Sequence, residues 1–331
     1  MKKTRALKWS AILLTVILAA CGDNQMETDA IETSEPETAD RGEDLQADDE
    51  SSSTLTLVDA AGNSVELPEN PQSIAVFDNG QLDNLSTLGL SERVVLTASP
   101  NLPEHLSAFE EVDVAGSFFE IDLEVTHAAE PDLIIVAGRS SAAYDDLKAI
   151  APTIDLSNDS TDYFSSIESN LMRLGIIFDL EAEAENVIAE LNNELEELNE
   201  QAEASDLTTL VAMYNEGSLS AYGPGSRFGV VHDAFGFQAI DEGVEESNHG
   251  MEITYEYVLE KDPDVLFVID RTAAIGGDTS SAPLEDNPII QQTTAYQNSQ
   301  LTYLSPSAWY LAEGGAGTFR IMMEEVSQVL N

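Results

Sequence analysis

The chain has 331 residues, of which 13 are basic and 62 acidic, for a formal net charge of −49. Charge of that sign and size excludes a nucleic-acid partner and a polybasic grip on anionic lipid, since both need a cationic surface. Cys21 is the only cysteine, so no disulfide framework holds the fold.

Lys2, Lys3, Arg5 and Lys8 precede an apolar run from Trp9 to Ala20 that is too short to span a bilayer and suits a signal-peptide core. The run ends Leu18-Ala19-Ala20-Cys21-Gly22, which resembles the bacterial lipobox, and that pattern implies removal of residues 1–20 and lipidation of Cys21. Residues 21–54 are rich in Asp, Glu, Ser and Thr with little to bury, and are expected to form a disordered acidic stalk.

An α/β fold follows. Thr54–Val58 alternates as a half-buried strand and returns through Gly62 as a hairpin at Ser64–Leu67. Ser73–Phe77 reads as a strand ended by Asp78-Asn79-Gly80, Gln81–Leu88 as a helix closed by Gly89, and Val94–Thr97 as a strand. Ile150–Leu156 reads as an edge strand, because Pro152 is tolerated only there. Tyr163–Phe178 carries apolar residues at helical spacing and is expected to connect two lobes, one over 55–160 and one over 180–331, with the connector at 161–179. Leu180–Ala204 is a second long helix whose stripe of Ile188, Leu191, Leu195 and Leu198 packs on the second lobe. Strands at Leu207–Tyr214 and Ser218–Tyr222 precede Gly223-Pro-Gly-Ser-Arg227-Phe-Gly229. This is not a dinucleotide fingerprint, because Phe228 stands where the third glycine belongs. Ser226 is expected to cap a helix with Arg227 in its first turn, against the helix dipole. Leu301–Leu304 is the last strand, and a helix from about Thr318 to Leu330 closes the chain.

One unit occurs twice. Asp122–Arg139 aligns without a gap on Thr254–Arg271, at a constant offset of 132 residues. Each copy has a short helix carrying a glutamate (Glu124, Glu256), then Pro-Asp, a strand-length apolar run, and an arginine (Arg139, Arg271). An arginine just past the carboxyl end of a strand stands where open α/β sheets bind ligands. Only six arginines follow Leu55, so two at matched strand ends point to a negative ligand.

With Pro131–Arg139, Gly223–Gly229, His249–Glu256, Asp264–Arg271 and Trp309-Tyr310-Leu311 in view, the chain from Thr54 onward resembles the siderophore-binding lipoproteins of bacterial iron-uptake ABC transporters. The likeness is to the branch binding iron(III) catecholates, including petrobactin and bis-catecholates. It implies a class III periplasmic-binding-protein-like fold, with two Rossmann-like α/β lobes joined by a rigid long helix. It implies that Arg139, Arg227 and Arg271 converge on catecholate oxygens, and that His249 and Tyr310 fill iron sites left open by a tetradentate siderophore. It further implies that Glu124 and Glu256 dock on the ABC permease, which works with a cytoplasmic ATPase. The expected protein is a monomer, lipid-anchored outside the cell membrane, with no intrinsic cofactor and an iron(III)-siderophore as ligand. His105, His127 and His232 match nothing in the pattern and are read as structural. One departure stands out: the branch follows Trp-Tyr-Leu with a small residue and a glycine run, whereas Ala312-Glu313-Gly314-Gly315 follows here. A carboxylate at that point is expected to shift ligand preference.

A haem, corrinoid or metal-ion receptor of the same fold is the alternative, yet four scattered histidines supply a bare-metal site poorly and haem does not need three arginines. An extracytoplasmic hydrolase is not expected, because neither Gly-x-Ser-x-Gly nor His-Glu-x-x-His occurs.

Overall fold

The computed structural model describes residues 54–98, 102–244, 247–277 and 283–330. The signal peptide, Cys21 and the acidic stalk up to residue 53 lie outside the described residues. Thr54–Val58 pairs antiparallel with Ser64–Pro68, as the alternation predicts.

The first sheet has five strands: β1 (Ile74–Val76), β2 (Val94–Thr97), β3 (Asp113–Val114), β4 (Leu133–Val136) and β5 (Thr153–Asp155). Their order is β3-β2-β1-β4-β5 and every pairing is parallel. Apolar runs such as Leu133–Val136, buried at every residue, fit a sheet covered on both faces. The expected edge strand is β5, shorter than predicted because Pro152 withholds a backbone donor just before it. The strand order reverses between β1 and β4. Chain leaving those two strands diverges, and a crevice opens at their carboxyl ends. β1 runs through Asp78 into α1 (Asn79–Thr87), where the Asp78 carboxylate accepts a hydrogen bond from Gln81 N at 3.1 Å. Asp78 is therefore a helix N-cap rather than part of a turn.

The second sheet comprises β6 (Thr208–Asn215), β7 (Ser218–Tyr222), β8 (Gln238–Ala239), β9 (Met251–Ile253), β10 (Val265–Asp270) and β11 (Leu301–Leu304). Its path is β9-β7-β6-β10-β11, with β8 beside the start of β6. β6, β10 and β11 are parallel, while β7 turns back against β6 and β9 against β7.

The internal repeat has a structural cause that both copies share. Pro131 and Pro263 each follow a residue with left-handed backbone, Glu130 (φ 46°) and Asp262 (φ 50°), which stops the preceding helix. Asp132 and Asp264 then tie each strand to its neighbour. Asp132 Oδ2 accepts from Gln72 N and Ser73 N at 2.9 and 3.0 Å, just ahead of β1. Asp264 Oδ2 accepts from Thr208 N and Thr208 Oγ1 at 3.0 and 2.7 Å, at the start of β6. Each Pro-Asp thus sets the register of a central parallel pair.

Between the sheets the chain forms α2 (Tyr163–Phe178) and α3 (Glu181–Ser205), which pack on one another. Ile167, Leu171, Leu174 and Ile177 of α2 are buried, each contributing about 1.5–3 kcal/mol. Leu191 and Leu198 of α3 are buried and Ile188 and Leu195 pack against the same core, so the stripe faces inward as expected. That core is continuous from Val65 to Val329 and takes in residues of both sheets. The closing helix α4 (Ala316–Ser327) starts two residues earlier than expected, and Gln328–Leu330 tightens into a 3-10 turn.

Candidate functional site

A cleft of about 580 Å³ lies where loops leave the carboxyl ends of strands from both sheets. From the first sheet come Asp78, after β1, and Ala137, Gly138 and Arg139, after β4. Arg227 follows β7, His249 precedes β9, and Tyr310 and Glu313 follow β11. Asn158, Asp159, Ser160 and Tyr163 close the wall leading into α2.

Tyr310 is the centre of the arrangement. It sits in a π-helical turn, Ser307–Leu311, that Glu325 on α4 anchors by accepting from Trp309 Nε1 at 2.8 Å and Ser305 N at 3.0 Å. The guanidinium carbons of Arg227, Arg139 and Arg271 stand 4.4, 5.4 and 5.6 Å from the centre of its ring. Arg139 Nη2 and Arg227 Nη2 donate to its carbonyl at 2.7 and 3.1 Å, and Arg271 Nε donates to its phenolic oxygen at 2.9 Å. Arg271 Nη1 is fixed in turn by Asn215 Oδ1 at 3.1 Å. Burial pushes the Tyr310 phenol up. The Arg271 hydrogen bond and the charges of Arg271 and Arg227 outweigh it and hold the pKa below the ordinary value.

All three predicted arginines therefore meet around one side chain, although 132 residues separate two of them. Arg139 and Arg227 line the cleft directly, while Arg271 reaches it through Tyr310. The expected helix at Ser226 is absent. Ser226 Oγ donates to Gly223 O at 2.6 Å, and the next helical turn begins only at Val230, with Gly229 before it. The Ser226 hydroxyl is used up inside the glycine turn, so Arg227 lies in a loop and no helix dipole opposes it. His249 is exposed on the cleft wall, its backbone N donating to Ser247 Oγ at 3.1 Å. The next residue has to be glycine: Gly250 has φ +74°, and a Cβ there would meet the Tyr222 ring at 2.8 Å. Glu124 and Glu256 lie outside the cleft, each exposed in the first turn of a short helix whose N-cap, Asp122 or Thr254, accepts from the backbone.

Two residues that line the cleft, Asp78 and Phe119, and Asn215, which holds Arg271 behind it, are not singled out by the sequence. Asp78 looked like turn chemistry. Burial pushes its carboxyl up to about 7, against the Gln81 hydrogen bond and the nearby Arg139 charge. Phe119 stands at the mouth, 81% exposed, in the turn joining the two-residue strands Gly116–Ser117 and Glu120–Ile121. The pair Phe118-Phe119 following Gly116-Ser117 is the sequence signal for it. Asn215 ends β6, and nothing local ties it to Arg271.

A family described as periplasmic binding protein matches residues 74–308, which contain both sheets and every arginine of the site. The chain belongs to the periplasmic binding protein family. Within that family it is 35% identical over 330 residues to the petrobactin-binding protein YclQ of Bacillus subtilis (strain 168), covering 99% of each chain. The crystal structure of YclQ superposes with a TM-score of 0.82, over 84% of this chain and 99% of that one. The ferric-anguibactin-binding protein FatB of Vibrio anguillarum is 27% identical over 78% of this chain and 83% of its own length. The catecholate-siderophore binding protein VctP of Vibrio cholerae has 29% identity and a TM-score of 0.77, over 83% of this chain and 100% of that one. Members of the family are substrate-binding proteins, built as mixed α/β folds with parallel sheets.

Proposed function

We propose that this protein captures an anionic iron(III)-catecholate siderophore in the cleft between its two sheets and delivers it to an ABC permease. The observation that carries this reading is the gathering of three guanidiniums on Tyr310 in a chain of net charge −49. Catecholate oxygens concentrate negative charge, and a guanidinium donates to them in a fixed plane, each bond contributing about 1.5–3 kcal/mol. Relatives named for petrobactin, ferric anguibactin and catecholate siderophores support the same ligand class.

Tyr310 and His249 are the groups that would reach iron when the siderophore leaves coordination sites open. Iron(III) is a hard acid that suits phenolate oxygen and accepts imidazole. A phenol already held below its ordinary pKa loses its proton to solvent more readily when a metal cation stands beside it to stabilise the phenolate. Phe119, exposed at the mouth, offers an apolar face to a catechol ring. Residues 1–20 act as an export signal, Cys21 carries the lipid anchor, and the acidic stalk lets a monomeric binding domain range above the membrane. Glu124 and Glu256, one from each copy of the repeat, meet the permease. Titrating the protein with a panel of ferric siderophores, haem and free iron, followed by intrinsic fluorescence, tests the reading. Quenching by ferric catecholates without chemical turnover is expected, and a response to haem alone would refute it.

A further inference from the structure

Arg227 is not free to meet a ligand. Its Nε donates to Glu313 Oε1 and Oε2 at 3.2 and 3.0 Å, and its Nη2 donates to Glu313 Oε1 at 2.8 Å. Arg139 Nη2 lies 4.0 Å from the same Oε1. A carboxylate straddling one edge of a guanidinium uses the donors that a pair of chelated oxygens would need. Glu313 is also held at its backbone while its side chain projects into the cleft. Gly314 N donates to Tyr163 Oη at 2.6 Å, and Asn84 Nδ2 donates to Gly314 O at 3.3 Å. Gly314, with φ +96°, leaves no room for a Cβ against the Asn158 amide. The backbone is pinned by groups from α1 and α2, and the carboxylate at the end of a flexible side chain is the part able to move.

We propose that Glu313 is a built-in competitor for the arginine fork and a determinant of ligand specificity, displaced from Arg227 when the ferric chelate enters. The inference rests on the reading of this cleft as the siderophore site. Glu313 stabilises the empty cleft by neutralising part of a cluster of like charges. Once displaced, its charge stays within the cleft and repels the incoming anion. That repulsion grows with the charge of the chelate, because the cleft wall screens far less than bulk water. The site therefore discriminates against the trianionic ferric tris-catecholates and favours chelates of lower charge.

The test compares the intact protein with Glu313→Gln and Glu313→Gly. Each is titrated with a trianionic ferric tris-catecholate and a monoanionic ferric bis-catecholate, and each is melted without ligand. The expected result is tighter binding of the tris-catecholate, on the order of tenfold, a smaller gain for the bis-catecholate, and a lower melting temperature for the ligand-free variants. A residue that merely shapes the cleft would not move stability down and affinity up together, nor grade the gain by ligand charge. Weaker or unchanged binding of both chelates by both variants overturns the proposal, as does an equal gain for the two. Failure of the unaltered protein to bind either chelate refutes the reading of the cleft itself, and the proposal falls with it.

Discussion

Three guanidiniums packed around Tyr310 repel one another, and the fold has to offset that before any ligand arrives. It does so with neutral acceptors and one anion. The Tyr310 carbonyl takes a hydrogen bond from each of Arg139 and Arg227, the phenolic oxygen takes one from Arg271, and Glu313 takes the remaining edge of Arg227. Burial pushes the Arg227 pKa down, but the Glu313 charge and hydrogen bond outweigh it and hold it up. Asp78, on the opposite wall, has the reverse problem: burial lifts its carboxyl from the usual range to about 7. A carboxyl with a raised folded pKa contributes stability below its unfolded pKa of 3.8 and loses it as the pH climbs through about 7. Asp78→Asn keeps an acceptor for Gln81 N and removes the charge. The stability gained from that change should be larger at about pH 8 than at about pH 4, measured by denaturant melts. An equal effect at both pH values would show that Asp78 titrates normally.

At the scale of elements, the strongest ties to the cleft run between segments far apart in sequence. α4 opens with Gly315 and has no cap of its own, yet Thr318 N donates to Asp83 Oδ2 at 2.6 Å and Ala316 N to Asn84 Oδ1 at 2.9 Å. Both acceptors belong to α1, on the other sheet's side of the cleft. Asp83→Ala removes a remote cap and leaves a buried donor unpaired. It should cost about 1–3 kcal/mol in unfolding free energy; a cost near zero would mean that water or a neighbour replaces the carboxylate. This cap also marks where sequence reading stops. The repeat was legible because its signals are local: Pro-Asp, four or more apolar residues, then arginine. The Asp83 and Asn84 caps, Asn215 beside Arg271, and Glu313 in the fork of Arg227 depend on juxtapositions that only the fold creates. The local expectation at Arg227 fails, since the glycine turn consumes the Ser226 hydroxyl that was expected to start a helix, and only the resemblance pointed to this arginine on other grounds. Glu124 and Glu256 stand at matched positions of the repeat, and a first-turn carboxylate is favoured there by about 0.3–1 kcal/mol whatever else it does. If both meet the permease, Glu124→Ala/Glu256→Ala should leave siderophore affinity intact and abolish iron uptake in cells. Uptake at the unaltered rate would leave them as helix-end residues.

For the molecule as a whole, a net charge of −49 and the arginines gathered on Tyr310 act on an anionic ligand in opposite senses. Repulsion from the surface is screened beyond a Debye length of about 8 Å at physiological salt, whereas the partly buried arginines are screened much less. Moderate salt should therefore raise the association rate in stopped-flow mixing, the opposite of ordinary electrostatic steering. Rates that fall steadily with added salt would mean that the local field governs approach even at long range. The same acidic background is why the arginines matter: with so few cations in the chain, the cleft is where an anion finds donors. The most direct test is equilibrium titration of a ferric bis-catecholate against the intact protein and against Arg139→Ala, Arg227→Ala and Arg271→Ala. Each variant should stay folded and bind more weakly by about 1.5–3 kcal/mol, and unchanged affinity in all three would contradict the account.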